Sequence, residues 1–131
     1  MARRVLAALE DLMFKSKISG TADQLGVEAS FPRSPQRLLD ALRESPPDLL
    51  VLDLNSTRFE PLELLRIVKS DGDLAHVPTV GFLSHVQKDL AVAAKASGCD
   101  RVVARSAFTR DLPQILAGGE TGGSTGEAGV G

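Results

Sequence analysis

The sequence predicts an α/β fold, (βα)5, in which five strands alternate with five helices around a doubly wound, five-stranded parallel sheet. Three observations point there. Short apolar runs recur along residues 1–117, and longer stretches with apolar residues at helical spacing lie between them. The central run, Leu49-Leu50-Val51-Leu52, is apolar without alternation, as a strand covered on both faces must be. Pro46-Pro47, Pro78 and Gly98 punctuate the joints between runs. Strand–helix alternation with right-handed crossovers yields a parallel sheet between two helical layers.

The elements follow in order. The first strand is expected over residues 5–9 and stops at Glu10-Asp11. A helix over 12–25 places Phe14, Ile18, Ala22 and Leu25 on one face. Residues 27–31 read as a short second strand. Ser34-Pro35 opens the second helix, a hydroxyl N-cap followed by proline at the first helical position. Leu38, Leu39 and Leu42 form its buried stripe, and Pro46-Pro47 ends it. The third strand runs into Asp53. The third helix, 61–69, carries Leu62, Leu65 and Val68 on one face. The fourth strand is expected over 77–83, and an alanine-rich helix over 87–97 is closed by Gly98. The fifth strand is 101–104. Thr109 is expected to cap the last helix, which runs to 117 with Pro113 in its first turn, where missing amide donors are tolerated.

The 131 residues form one domain, 1–117, followed by a tail, 118–131, in which seven of fourteen residues are glycine. That composition predicts a flexible coil. Fifteen Lys and Arg stand against seventeen Asp and Glu. The tail holds Glu120 and Glu127 and no base, so residues 1–117 balance at fifteen each. Without a basic excess, and without Trp or Tyr, no nucleic-acid partner is expected. One cysteine excludes a disulfide framework and a Cys-rich zinc site. No apolar run approaches the ~18 residues of a membrane helix. The apolar stretch at the start ends at Glu10, too soon for a signal peptide. A cytoplasmic protein without membrane contact is expected.

In sheets of this kind, sites lie beyond the carboxyl ends of the strands. That selects residues 9–11, 53–56, 83–86 and 105–106. Neither a GxGxxG nor a GxxxxGK[ST] phosphate loop is present, and Ser, His and Asp fall at no recognisable catalytic spacing. An enzyme is not expected.

The segment Ser45-Pro46-Pro47-Asp48-Leu49-Leu50-Val51-Leu52-Asp53-Leu54-Asn55 resembles the third strand of response-regulator receiver domains. Leu62-Glu63-Leu64-Leu65-Arg66 is similar to the start of that family's third helix. The stretch from Gly98 through Arg101-Val102-Val103-Ala104-Arg105-Ser106 resembles its Gly-Ala-Asp-Asp-Tyr-Leu-x-Lys-Pro element, and Val5 to Asp11 its acidic-ended first strand. The resemblance covers roughly residues 3–117. It implies a flavodoxin-like strand order 2-1-3-4-5. It also implies phosphoryl transfer from a histidine kinase to Asp53, assisted by Mg²⁺, a Lys and a Ser or Thr hydroxyl. Mg²⁺ takes carboxylates, carbonyls and waters in octahedral geometry.

The match departs from the family at several of these positions. Leu9 falls where the first acidic residue belongs, and Glu10 on the second, with Asp11 following. A weakened Mg²⁺ site would draw on Glu10, Asp11, Asp53 and the backbone carbonyl of Asn55. Glu10 and Asp11 also read simply as acids favoured at a helix N-terminus. Thirty residues beyond Asp53 lies Leu83, so Ser84 is the hydroxyl only if a bulge restores it; His85 beside it reads as a solvated loop residue. Arg105 replaces the Lys, a change that is not conservative, and Ser106 replaces the Pro. Val102 stands where an aromatic switch residue is usual.

The expected function is a stand-alone, atypical receiver (a pseudo-receiver) that signals through protein–protein contact, with phosphorylation of Asp53 impaired or absent. Its partners would be a histidine kinase or a downstream target, with homodimerisation through the face of the last helix, strand and helix. Two alternatives stand beside it. One is a working single-domain receiver phosphorylated on Asp53. The other is a small-ligand or enzymatic flavodoxin-like domain.

Overall fold

The computed structural model describes residues 2–84 and 87–118. Eleven elements follow one another: β1 (Arg4–Ala8), α1 (Leu12–Leu25), β2 (Glu28–Ser30), α2 (Pro35–Glu44), β3 (Leu49–Asp53), α3 (Pro61–Ser70), β4 (Thr79–Leu83), α4 (Lys88–Ala96), β5 (Arg101–Ala104), α5 (Arg105–Arg110) and α6 (Leu112–Ala117). The strands form one parallel sheet in the order β2-β1-β3-β4-β5. This is the expected doubly wound, flavodoxin-like arrangement. The expected tail lies, apart from Gly118, outside the described residues, as does His85.

Strand alternation divides the core into two layers. Val5, Ala7, Val51, Val80, Phe82 and Val103 pack under α1, α5 and α6. Leu6, Ala8, Leu50, Leu52, Leu83 and Val102 pack under α2, α3 and α4. The central run 49–52 is buried on both faces, as its lack of alternation requires. Gly81 is needed where β4 passes the chain leaving β3: a Cβ there would lie 2.9 Å from the Leu54 side chain. Gly98 closes α4 as expected. Its φ is +108°, and the Gly98 and Cys99 N–H groups donate to the Lys95 and Ala94 carbonyls, a Schellman closure.

Two expectations are corrected. Leu25 does not join the buried stripe of α1; it is exposed at the last helical position, just before the left-handed Gly26. Thr109 does not cap the last helix. It lies inside α5, which begins at Arg105 directly after β5, and donates its hydroxyl to the Arg105 carbonyl (2.9 Å); the last helix, α6, begins at Leu112. The break comes at Asp111, because Pro113 has no N–H for the carbonyl four residues back and its ring crowds it.

Against the lower ends of β4 and β5, Lys69 Nζ donates to the Ala75 and Val77 carbonyls (3.2 and 2.9 Å) and to Asp100 (3.0 Å). Asp100 also accepts from the Thr79 N–H and hydroxyl, which joins β4 to β5. No helix of the described residues is long and apolar enough to cross a membrane.

Candidate functional site

Asp53 ends β3 at the carboxyl edge of the sheet. It stands opposite Phe82 of β4, and since Ala8 pairs with Leu52, the next residue of the first strand, Leu9, comes level with it on the other side. By alternation Asp53 faces the layer of Phe14, Phe82 and Phe108. Leu9 and Phe82 are each only 1% exposed. The carboxylate therefore lies between two apolar side chains. Below it the three rings pack together: Phe82 stacks on Phe108 at 4.8 Å, and Phe14 meets Phe82 edge-on at 5.1 Å. Burial pushes the Asp53 carboxyl above the ordinary carboxylate range; the Asn55 N–H and the Arg105 charge pull it back only in part, while Glu10 and Asp11 add to the rise. Asp53 Oδ1 accepts the Asn55 N–H at 2.9 Å.

The neighbouring acids face other partners. Glu10 leans onto the loop after β3: its Oε2 accepts the Ser56 hydroxyl at 2.6 Å and the Arg58 N–H at 3.3 Å, and Arg58 Nε stands 3.8 Å from Oε1. The buried Ser56 Oγ in turn accepts the Phe59 N–H, so Glu10 anchors that loop. The Ser56 hydroxyl, then the Arg58 N–H, hold the Glu10 carboxyl below its usual value. Asp11 is the N-cap of α1; its Oδ1 accepts the Phe14 N–H at 3.0 Å. Its Oδ2 accepts from Arg105 Nη2 at 2.8 Å. The Phe14 N–H first, and Arg105 second, depress its pKa.

Arg105 therefore pairs with Asp11, and its guanidinium lies over the Phe14 ring, 4.2 Å from the centroid. Asn55 ties the next two loops together: its side chain accepts the Ser84 N–H (2.7 Å) and donates to Gln87 (2.9 Å). Leu83 lies buried in the opposite layer, whereas Ser84 is exposed at the strand end beside Asn55. Val102 is buried in the layer under α3 and α4, and Ser106 is exposed in the first turn of α5.

The expected ligands, Glu10, Asp11, Asp53 and Asn55, all lie at the carboxyl edge of the sheet, but Glu10 and Asp11 are engaged by other partners. Among the described residues no three His, Cys, Asp or Glu side chains converge as metal ligands. As these side chains are held, the donor set does not fit a divalent cation. Leu9 supplies no oxygen, both Asp11 oxygens are committed to the helix cap and Arg105, and Glu10 is turned to Ser56. Sequence reading missed Ser56 as an anchor and the three-ring floor. The signal for the floor was available in part, since Phe14 lay on the predicted buried face of the first helix.

No family profile matches the chain. Over 80 residues it is 28% identical to the polar-differentiation response regulator DivK of Brucella ovis, a match covering 61% of this chain and 65% of the length of that relative. In structure it is similar to the chemotaxis response regulator CheY4 of Vibrio cholerae, with a TM-score of 0.78 at 16% identity over 89% of this chain and 98% of that one. It is similar too to the Mn²⁺-bound form of the response regulator Rcp1, with a TM-score of 0.73 at 18% identity over 88% and 90% of the two chains. The chain thus has the CheY-like, flavodoxin-like fold of response-regulator receiver domains, and its sequence is similar to that of a response regulator.

Proposed function

We propose that this chain is an atypical receiver domain that acts in signal transduction through protein contact, with phosphoryl acceptance at Asp53 impaired or absent. The observation that carries the reading is the engagement of the acids around Asp53. Glu10 is held by Ser56 and Arg58, Asp11 by the α1 cap and Arg105, and Leu9 stands where a further carboxylate would be needed. Phosphoryl transfer to a carboxylate relies on cations that neutralise the developing charge. Here the nearest cation, Arg105, is already paired.

The partner is a signalling protein, a histidine kinase or a downstream target, and the surface offered is the α4–β5–α5–α6 face. Only Ala94 of α4 is fully buried, and Val92 is 67% exposed on it. A second copy bound through the same face would give a homodimer. Residues 1–117 are the working unit, and the setting is cytoplasmic.

The test is incubation with Mg²⁺ and a small phosphodonor or beryllofluoride, followed by intact mass and amide-resonance spectra. The expected result is no mass gain of one phosphoryl group and no shift at Asp53. A covalent phosphoryl adduct that disappears in Asp53→Asn overturns the proposal.

A further inference from the structure

We infer that Arg105 is the resident counter-ion of the acidic strand ends, and that its guanidinium excludes a divalent cation from them. This rests on the reading of the domain as one impaired in phosphorylation, and gives that reading an electrostatic cause.

Three carboxylates, Glu10, Asp11 and Asp53, stand at one end of the sheet, where mutual repulsion favours any bound cation. One internal cation answers them in a fixed position. Arg105 is the first residue of α5 and follows β5 without a loop, so its backbone is set by the sheet. Its charged end is fixed twice, by the 2.8 Å bond to Asp11 Oδ2 and by stacking 4.2 Å above Phe14. The side chain is 34% exposed, so much of its surface is covered. A guanidinium suits this place better than an ammonium, because it is planar, stacks on a ring and is weakly hydrated.

The acid it holds is already the helix cap. Asp11 therefore cannot turn toward Asp53 without losing both the Phe14 N–H and the Arg105 charge. Arg58 is a poorer candidate, since it reaches Glu10 only at 3.8 Å from a mostly exposed side chain. Lys15 stands near Glu10 as a diffuse charge, with no ion pair to it.

Loss of the guanidinium is expected to create cation binding. Removing the guanidinium leaves Asp11 Oδ2 and Asp53 uncompensated beside Glu10, and a hard cation with oxygen ligands then has a place to bind. Mn²⁺ is the probe, because its paramagnetism broadens nearby resonances. The wild-type chain, Arg105→Gln and Arg105→Met are titrated with MnCl₂, following Tm and amide line widths. Arg105→Met keeps an apolar cover on Phe14 should the glutamine variant not fold.

In the wild type, Tm and the amide signals of residues 10, 11 and 53 are expected to stay unchanged. In either neutral variant, Tm is expected to rise by about 5 °C at a tenfold excess of Mn²⁺ over its dissociation constant. Residues 10, 11 and 53 should broaden selectively. Broadening of those residues in the wild type overturns the inference, and so does a folded neutral variant that ignores Mn²⁺. Neither measurement uses a phosphodonor. A phosphoryl adduct on the wild type would therefore sink the functional reading without deciding this one, and Mn²⁺ binding by the wild type would do the reverse.

Discussion

Replacing Phe82 by alanine tests how the apolar surroundings of Asp53 govern both the stability of the domain and the acidity of its carboxyl. Phe82 is 1% exposed, stands level with Asp53 across the β3–β4 pair, and touches two other rings. A buried phenyl ring removes about 150–250 Å² from water. At about 25 cal/mol per Å² that is worth roughly 4–6 kcal/mol, close to the ~3–5 kcal/mol typical of Phe→Ala in a core. A domain of this size has a total stability of about 5–15 kcal/mol, so the variant should fold with Tm lower by about 10–25 °C. Phe82→Leu, which fills most of the space, should lose less than half as much.

The second effect concerns the acid. Burial is the first cause of the raised Asp53 pKa, and water entering the space left by the ring should bring that pKa down toward the usual 3.8. Thermal denaturation measures the first effect, and the Asp53 side-chain carbon shift against pH measures the second. A Tm loss of only a few degrees would refute the claim that the three rings form one packed floor. An unmoved Asp53 titration would refute the claim that Phe82 dries the carboxylate.

Three further substitutions bear on the pH dependence and on the joint below the sheet. Glu10 and Asp11 have folded pKa values below their ordinary 4.5 and 3.8, so each contributes stability that is present above those values and lost as pH falls through the folded ones. Asp11→Asn keeps a good helix cap but loses the Arg105 pair, and should flatten the acid limb of a stability–pH curve measured by urea unfolding; an unchanged limb would contradict the pairing. Asp53 has the opposite sign, since its raised pKa disfavours the charged form at neutral pH. Asp53→Asn should therefore raise Tm at pH 7, with the gain shrinking as pH falls toward 3.8. Lys69→Met leaves the Ala75 and Val77 carbonyls and Asp100 without their ammonium donor, and should lower the urea midpoint by the equivalent of about 1–3 kcal/mol at constant slope.

The fold was legible because it depends on long-range statistics of burial that the sequence repeats five times. Leu49 to Leu52 had to be covered on both faces, and Ser34-Pro35 had to open a helix; Ser34 Oγ does accept the Arg37 N–H. The last helix ends at Ala117 with Pro113 in its first turn, as expected, but its start differs because two local signals compete. Thr109 looks like a cap by residue type, but the strand delivers its chain straight into a helical turn at Arg105, and only Pro113 interrupts it. The positions of the site residues were legible by counting from Asp53, whereas their orientations were not. Whether Glu10 turns to Asp53 or to Ser56 depends on a hydroxyl 46 positions away, and whether Arg105 meets Asp53 or Asp11 depends on which acid caps α1. Leu83 and Ser84 were likewise separated only by strand alternation, which a count cannot phase.

The contacts at the strand ends close a chain across the sheet. Glu10 joins the end of β1 to the loop after β3, Asn55 joins that loop to the one after β4, and Asp11 joins the end of β1 to α5 beyond β5. A ligand shifts a conformational equilibrium only by the difference between its affinities for the two states. A cation drawing Asp11 inward must give back the cap and the Arg105 pair, and one drawing Glu10 inward must release the buried Ser56. These losses fall on the ligated state alone. Side chains that hold their own loops together thus set a cost that any cation drawing on Glu10 or Asp11 must meet.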